Sequence, residues 1–543
     1  IFMIKIVIFF IIISTIANFN ISGKNPEIFS SNYKTKISTN SGTYLAANFY
    51  ISKGDAYKAR KILEKNTNNP KLLQLKFFSN LVSGEFEVAN KISNLLASNF
   101  AKNDLYYYPQ YIINIKKNKF KENFNLFQKR SFNKGLNELS PLINLWISNT
   151  QNKSSSILNE DTQKKSIHEL LILENFYKSK SLKKIANQIY ETENLNNNDV
   201  LFLAGFYFRL KDFQKFENII QTKLSNQFDK EFIINNFSFK NNIYFKIPNL
   251  HTILASKLYN NSILNNQQNE NSYFYQKILL EMSIYLCPNL DISKYSLAEL
   301  YSLEKTNKLA LKKLKSISSD SFFFLPSNLK TMSIIKSLNK KNDYKNLLFS
   351  NFKIWPKNKY ILYKLATYYK TKQKYHESIK IYKKIIDIYG ESDRDLFLYA
   401  SNLDKIGKWD QAKTLLLNLL KRNPKDTYTL NYVSYKLALK EQDLNFALSL
   451  IKQALTIDPE NGFFLDTLGW VEFKRKNYNK AVFFLEKSIS ILPRSSEILD
   501  HLGDCYLMLN RKKEAVFEWR KAIKYEIDAN IITNIQAKLK RYE

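Results

Sequence analysis

A chain of 543 residues exceeds what one hydrophobic core can organise, so it must be several domains or an extended repeat array. Its 44% hydrophobic and 14% aromatic content excludes wholesale disorder, and two cysteines, Cys287 and Cys505, exclude a disulfide framework or a cysteine zinc site, leaving one long bridge or two small core side chains. A formal net charge of +33 favours anionic partners, but the 82 Lys and Arg are dispersed without a compact run, so solvated helix faces compete with a dedicated anion site.

The amino terminus has the proportions of an export signal. Lys5 supplies a thin positive region, Ile6 to Ile13 is an unbroken apolar run, and Thr15-Ile16-Ala17 places small residues at the cleavage-determining positions. Cleavage after Ala17 is the expectation, with Met3 as the start. The alternative is an uncleaved inner-membrane anchor over residues 4–17, although the run falls short of the roughly 20 apolar residues a span requires. No cysteine follows the run to carry a lipid. Residues 18–40, polar and without periodicity, read as a flexible leader.

Residues 41–350 read as divergent helical hairpins. Ala46-Ala47, Tyr50, Gly54-Asp55 and Ala59-x-x-x-Leu63, closed by Pro70, form one unit, and Gly84-Glu85-Phe86 with Ala89 begins its successor. Ala204, Tyr207 and Lys211-Asp212-Phe213 repeat the first half of the pattern, and Ala298, Tyr301 and Ala310 repeat its small, aromatic and small anchors. The hairpins are expected to stack in order nearly from end to end. Asn196-Asn197-Asn198, Asn260-Asn261 and Asn265-Asn266-Gln267-Gln268 read as loops between helices.

From residue 357 to 525 the pattern becomes regular. Ser378, Ala412, Ala447, Ala481 and Ala515 follow one another at intervals of 34, 35, 34 and 34 residues, and Pro424, Pro459 and Pro493 keep the same beat. Proline cannot continue a helix, so it closes each unit. Twelve residues before the small anchor lies a small partner, Ala366, Ala400, Gly469 or Gly503, which lets two backbones cross closely; in the remaining unit that position holds Tyr435. Residues 526–543 are expected to form a capping helix.

This beat, with small crossings and aromatics such as Tyr369, Tyr382, Tyr506 and Trp519 around them, resembles the tetratricopeptide repeat (TPR). The resemblance implies an all-α solenoid, a right-handed superhelix of about 12–15 helix-turn-helix repeats whose amino-terminal half is divergent. More narrowly, Leu465-Asp466-Thr467-Leu468-Gly469-Trp470, Asp500-His501-Leu502-Gly503-Asp504 and Lys512 to Arg520 are similar to exported proteobacterial TPR proteins of the periplasm and outer membrane. Some relatives of that group are lipoprotein adaptors for a processing protease and cell-wall hydrolases; this chain lacks their lipid-bearing cysteine.

Sequence spacing leaves little room for catalysis. The closest glycines, Gly462 and Gly469, are seven residues apart, which excludes a Gly-x-Gly dinucleotide turn, a P-loop and a Gly-x-Ser-x-Gly elbow. His168-Glu169 begins like a metalloprotease helix, but Ile172 stands where its second histidine belongs. No cofactor, no metal and no enzyme activity are expected, although a catalytic site within residues 100–350 is a competing reading.

In the TPR resemblance the first helix of each repeat lines a concave groove. Projected onto this chain, the groove holds Tyr363, Thr367 and Lys370, then Arg394, Phe397 and Ser401, then Tyr432, Lys436 and Lys440, then Asp466, Trp470 and Phe473, then Asp500, Asp504 and Met508. Aromatics beside cations are the residue types that dominate interfaces; the alternative is that Trp470 and Phe473 only pack on the neighbouring repeat. The Lys and Asn pair of chaperone-tail clamps is replaced by Tyr363 with Thr367 and Phe397 with Ser401. The expected function is a non-catalytic protein scaffold of the bacterial envelope, in the periplasm or at the outer-membrane periphery, whose partner is a protein such as an envelope protease or peptidoglycan enzyme. Alternatives are an accessory subunit of such an enzyme and a basic solenoid binding nucleic acid or acidic polysaccharide. The export signal disfavours nucleic acid, and membrane contact is expected only through an uncleaved amino terminus.

Overall fold

The computed structural model describes residues 39–542 apart from 65–68, 101–103, 124–133, 152–164, 192–193, 226–227, 229, 236–241, 265–269 and 527. The export-like segment 1–17 and nearly all of the leader 18–40 lie outside the described residues. Among the described residues every regular element is a helix, and the chain is an α-solenoid of helical hairpins. It divides into two compact units, Ile1–Ile334 and Ile335–Glu543.

One backbone device recurs among the described turns. The first helix ends on a left-handed residue, glycine at Gly54, Gly84 and Gly407 but a side-chain-bearing residue at Asn118, Lys211, Lys305, Asn339, Gln373, Glu441, Lys476 and Asn510. From Lys305 onward these residues follow at intervals of 34 or 35. The left-handed turn aims amides back at the last carbonyls of the helix, as where Gly407 N–H donates to Asp404 O and Lys408 N–H to Leu403 O, each at 3.0 Å.

The first unit contains the hairpins α1 (Asn40–Ser52) with α2 (Ala56–Leu63) and α3 (Pro70–Val82) with α4 (Phe86–Phe100), followed by α5 (Tyr108–Lys116) and α6 (Ile167–Glu174). Then come α7 (Asn197–Arg209) with α8 (Phe213–Lys223), α9 (Leu250–Leu264) with α10 (Glu270–Leu286), and α11 (Asp291–Leu303) with α12 (Asn307–Lys315). Helices α6, α7 and α9 are buried along nearly their whole length, because apolar residues on every side need neighbours on every side.

The expected in-order stacking is therefore corrected for this unit. Phe86 packs against Tyr285 at 5.1 Å, Lys116 Nζ donates to Leu286 O at 2.8 Å, and Gly54 lies against the Glu304 carboxylate. The loop reading of Asn260-Asn261 also fails. Both are buried within α9, where the Asn260 amide donates to Asp199 at 3.0 Å and so finds the partner that makes a buried helical asparagine tolerable. Asn196 caps α7, and Asn265–Gln268 lie outside the described residues.

The second unit begins with α13 (Lys341–Ile354) and continues as paired helices: α14 (Lys359–Thr371) with α15 (Tyr375–Tyr389), and α16 (Asp393–Lys405) with α17 (Trp409–Arg422). Next are α18 (Thr427–Leu439) with α19 (Leu444–Ile457), α20 (Gly462–Lys474) with α21 (Tyr478–Ile491), and α22 (Ser496–Met508) with α23 (Lys512–Tyr525), and a single helix, α24 (Ala529–Tyr542), follows. Side-chain caps keep the repeat beat: Asn358, Ser392, Asp426 and Asn461 accept backbone amides at the starts of α14, α16, α18 and α20.

Small residues fill the crossings as expected, with Ala366, Ala400, Ser378, Ala412, Ala481 and Ala515 all fully buried. At Gly503 the neighbour is the Trp519 indole, which a Cβ would meet at 2.5 Å. The third repeat is offset by one residue from the sequence register. Its crossing residue is Ser434, whose Oγ donates to Ala447 O at 2.8 Å. The extra residue sits in the turn, where both Glu441 and Asp443 are left-handed.

Candidate protein-interaction trough

In a stack of hairpins the first helices form one face, so α14, α16, α18, α20 and α22 bring the predicted groove residues together in rows. The rows are joined by polar contacts from each helix to the next. Tyr363 donates to Asp395, a fully buried carboxylate that also accepts from Ser392 Oγ at 2.6 Å. Asp404 accepts from Tyr432 at 2.9 Å and Lys436 at 2.7 Å, and Phe397 meets Tyr432 edge-on at 5.4 Å.

Farther along, the trough becomes aromatic. Trp470 stacks on Phe473 at 4.8 Å and on His501 at 4.0 Å, with Lys474 over its ring at 5.2 Å. His501 Nδ1 donates to Asp466 at 2.9 Å, tying α22 to α20. Burial, the largest influence on this imidazole, pulls its pKa down, but the charge and hydrogen bond of Asp466 with the charges of Glu497 and Asp500 outweigh it, and the net shift is upward. Tyr435 spans two repeats, donating to Glu497 at 2.7 Å. Its neighbour Trp470 keeps Nε1 buried without a hydrogen-bond partner.

Asp500 and Asp504 do not face solvent as a bare acidic patch. Lys538 of α24 donates to each at 2.7 Å, and the Trp519 Nε1 donates to Asp504 at 3.2 Å. Burial pushes the Asp504 carboxyl up, and Lys538 offsets this only in part. Ser401 is buried and turned to its own helix, donating to Leu398 O at 2.9 Å. Thr367, Lys370, Arg394, Lys440 and Met508 remain exposed.

The predicted set therefore divides in two. Tyr363, Phe397, Tyr432, Lys436, Asp466, Trp470, Asp500 and Asp504 build the floor by joining helices, with Phe473 stacked on Trp470 and Ser401 turned into its own helix, whereas Thr367, Lys370, Arg394, Lys440 and Met508 are exposed above it. Sequence register missed Tyr435, which occupies in the third repeat the place of Thr367, Trp470 and Asp504. It also missed His501 and Lys538, whose roles depend on neighbours 35 and 34 residues away.

In the first unit His168 Nε2 lies 3.0 Å from Ser256 Oγ, which also accepts from Asn198 at 2.7 Å, while Tyr244 donates to Asn198 at 3.1 Å. A serine beside a histidine is the chemistry of an activated nucleophile. Here both are buried; burial, aided by the Lys257 charge, lowers the His168 pKa to about 3, and the pair joins α6 to α9 within the core. Among the described residues no group of three or more His, Cys, Asp or Glu is placed to hold a metal, and no helix is long and apolar enough to cross a membrane. Cys287 and Cys505 are both free and buried.

A tetratricopeptide repeat family model matches residues 360–392 and 396–426, the hairpins α14–α15 and α16–α17. The chain carries tetratricopeptide repeats, a class of helical repeat that serves in general as a protein-interaction scaffold. Among solved structures it is similar to MamA from Desulfovibrio magneticus, at 16% identity over 30% of this chain and 93% of that one with a TM-score of 0.27. It is also similar to yeast Tom70, at 14% identity over 92% and 95% of the two chains with a TM-score of 0.33. A TPR protein from Parabacteroides merdae aligns at 14% identity over 46% and 97%, with a TM-score of 0.40. No curated protein matches the sequence.

Proposed function

We propose that this protein is a non-catalytic adaptor of the bacterial cell envelope that holds a segment of a partner protein in the trough of its second unit. The observation that carries the reading is the division of labour among the first helices. Their carboxylates are engaged from within, Asp395 by Tyr363, Asp404 by Lys436, Asp466 by His501 and Asp504 by Lys538. Lys370, Arg394 and Lys440 stay exposed, and Arg394 lies over the Tyr363 ring at 5.5 Å. Such a floor attracts a segment with acidic and apolar side chains, because the fixed acids no longer repel it and the rings offer rigid area.

The export-like amino terminus supports a periplasmic or outer-membrane location, and an envelope protease or peptidoglycan enzyme fits the partner class. The test compares wild-type chain with a Lys370→Glu, Arg394→Glu, Lys440→Glu triple variant, each recovered from fractionated cells of the native host. The reading predicts an envelope fraction and a co-purifying protein that the variant loses by tenfold or more while keeping its thermal midpoint. Recovery from the cytoplasm contradicts the location, and undiminished co-purification contradicts the trough.

A further inference from the structure

The lysines look scattered in sequence because their spacing is that of the repeat. In stacked hairpins all turns inside the hairpins fall on one edge, and the links between hairpins fall on the other. Every inner turn from α14 to α23 carries a cation within one residue of its left-handed position: Lys372 and Lys374 around Gln373, Lys408 after Gly407, Lys440 before Glu441, Lys476 itself, and Arg511 after Asn510.

Lys372, Lys374, Lys408, Lys440 and Lys476 are all exposed. Helix carbonyls at this end attract cations, which accounts for one lysine per turn but not for the difference between the edges. On the opposite edge the exposed Lys353, Lys357, Lys421 and Lys425 are interrupted by Glu391, Asp393, Asp458 and Glu460, and Tyr360, Tyr428, Ile457 and Phe463 are exposed there, as Leu439 and Met508 are beside the inner turns. The basic edge is thinnest at the third of these left-handed sites, where Glu441 is held by Lys474 at 2.8 Å and Asp443 caps α19, and at the fifth, where Arg511 donates to Glu514 at 2.7 Å.

We propose that this edge is a second binding surface, a rail for an acidic polysaccharide that runs along the turns and is distinct from the trough. Adjacent packed helices lie about 8–10 Å apart, so successive turns offer charge at intervals that a linear polymer carrying an acid on each sugar can follow. The partner class is set by what the rail lacks. The rings beside the turns, Tyr375, Trp409 and Tyr478, are half-buried or buried, and the exposed aromatics of the second unit lie elsewhere, so bases would find a poor stacking platform here, whereas a polysaccharide would find charge.

The experiment titrates the full chain with a heparin oligosaccharide and with a single-stranded oligonucleotide of equal charge, over a range of salt. Two quadruple variants are compared: Lys374→Gln, Lys408→Gln, Lys440→Gln and Lys476→Gln on the rail, and Lys353→Gln, Lys357→Gln, Lys421→Gln and Lys425→Gln on the opposite edge. All eight side chains are exposed, so both variants are expected to fold, which their thermal midpoints check. The rail predicts heparin affinity falling about tenfold or more, with a shallower salt dependence, only in the first variant. Equal losses in both variants would show a diffuse field and overturn the rail; tighter, rail-dependent oligonucleotide binding would overturn the polysaccharide. Because Lys440 also borders the trough, a rail variant retaining Lys440 separates failure of one surface from failure of the other.

Discussion

At the scale of single residues, backbone conformation and buried charge make the sharpest demands. Gly407 is left-handed with open space around it, so Gly407→Ala meets no neighbour and is expected to cost about 1 kcal/mol from conformation alone. Gln373 holds the same conformation at φ 56°. Gln373→Gly is expected to gain up to about 1 kcal/mol, read by denaturant melts. His168 has a folded pKa of about 3, below the unfolded value, so its contribution is present above pH 6.5 and is lost as pH falls. Protection factors of amides in α6 and α9, corrected for the intrinsic exchange rate at each pH, should fall between pH 6.5 and 4, and His168→Gln should flatten that trend. His501 has the opposite sign. Its raised pKa stabilises the second unit below pH 6.5, a contribution that disappears as pH rises through the folded value, and His501→Gln should remove the effect.

At the scale of elements, tight crossings and the terminal helix are the critical joints. Gly503→Ala drives a methyl into Trp519 and is expected to cost about 1–3 kcal/mol. Lys538→Ala leaves Asp500 and Asp504 without their cation and should loosen α24, seen as faster exchange of Ala529–Tyr542. The paired helices from 357 to 525 were legible in sequence because alanine and proline mark one beat. The crossing of the third repeat was not, since Ser434 is small without being Ala or Gly and its turn carries an additional residue. The left-handed turns were equally hidden: only three of them are glycine, and Lys305, Gln373 or Lys476 announce nothing in a list of residues. Within the trough, types and rows were readable, but His501 and Lys538 acquire meaning only from a neighbour one repeat away.

At the scale of the molecule the two units differ in how they distribute stability. The second is a chain of neighbours, so damage at Gly503 should raise exchange in α22–α24 and spare α14–α16. In the first, contacts such as Phe86 with Tyr285 join distant segments, and a lesion in α9 should be felt from α3 to α12. The central claim is that one face of the second unit, and not its surface at large, receives a protein. It is tested most directly by placing a photo-crosslinking residue in cells at Thr367 or Lys440 in the trough and, for comparison, at Lys413 or Phe483 on the second helices. The account predicts one discrete protein adduct from the trough positions and none from the second helices; equal adducts from both, or none from the trough, would contradict it.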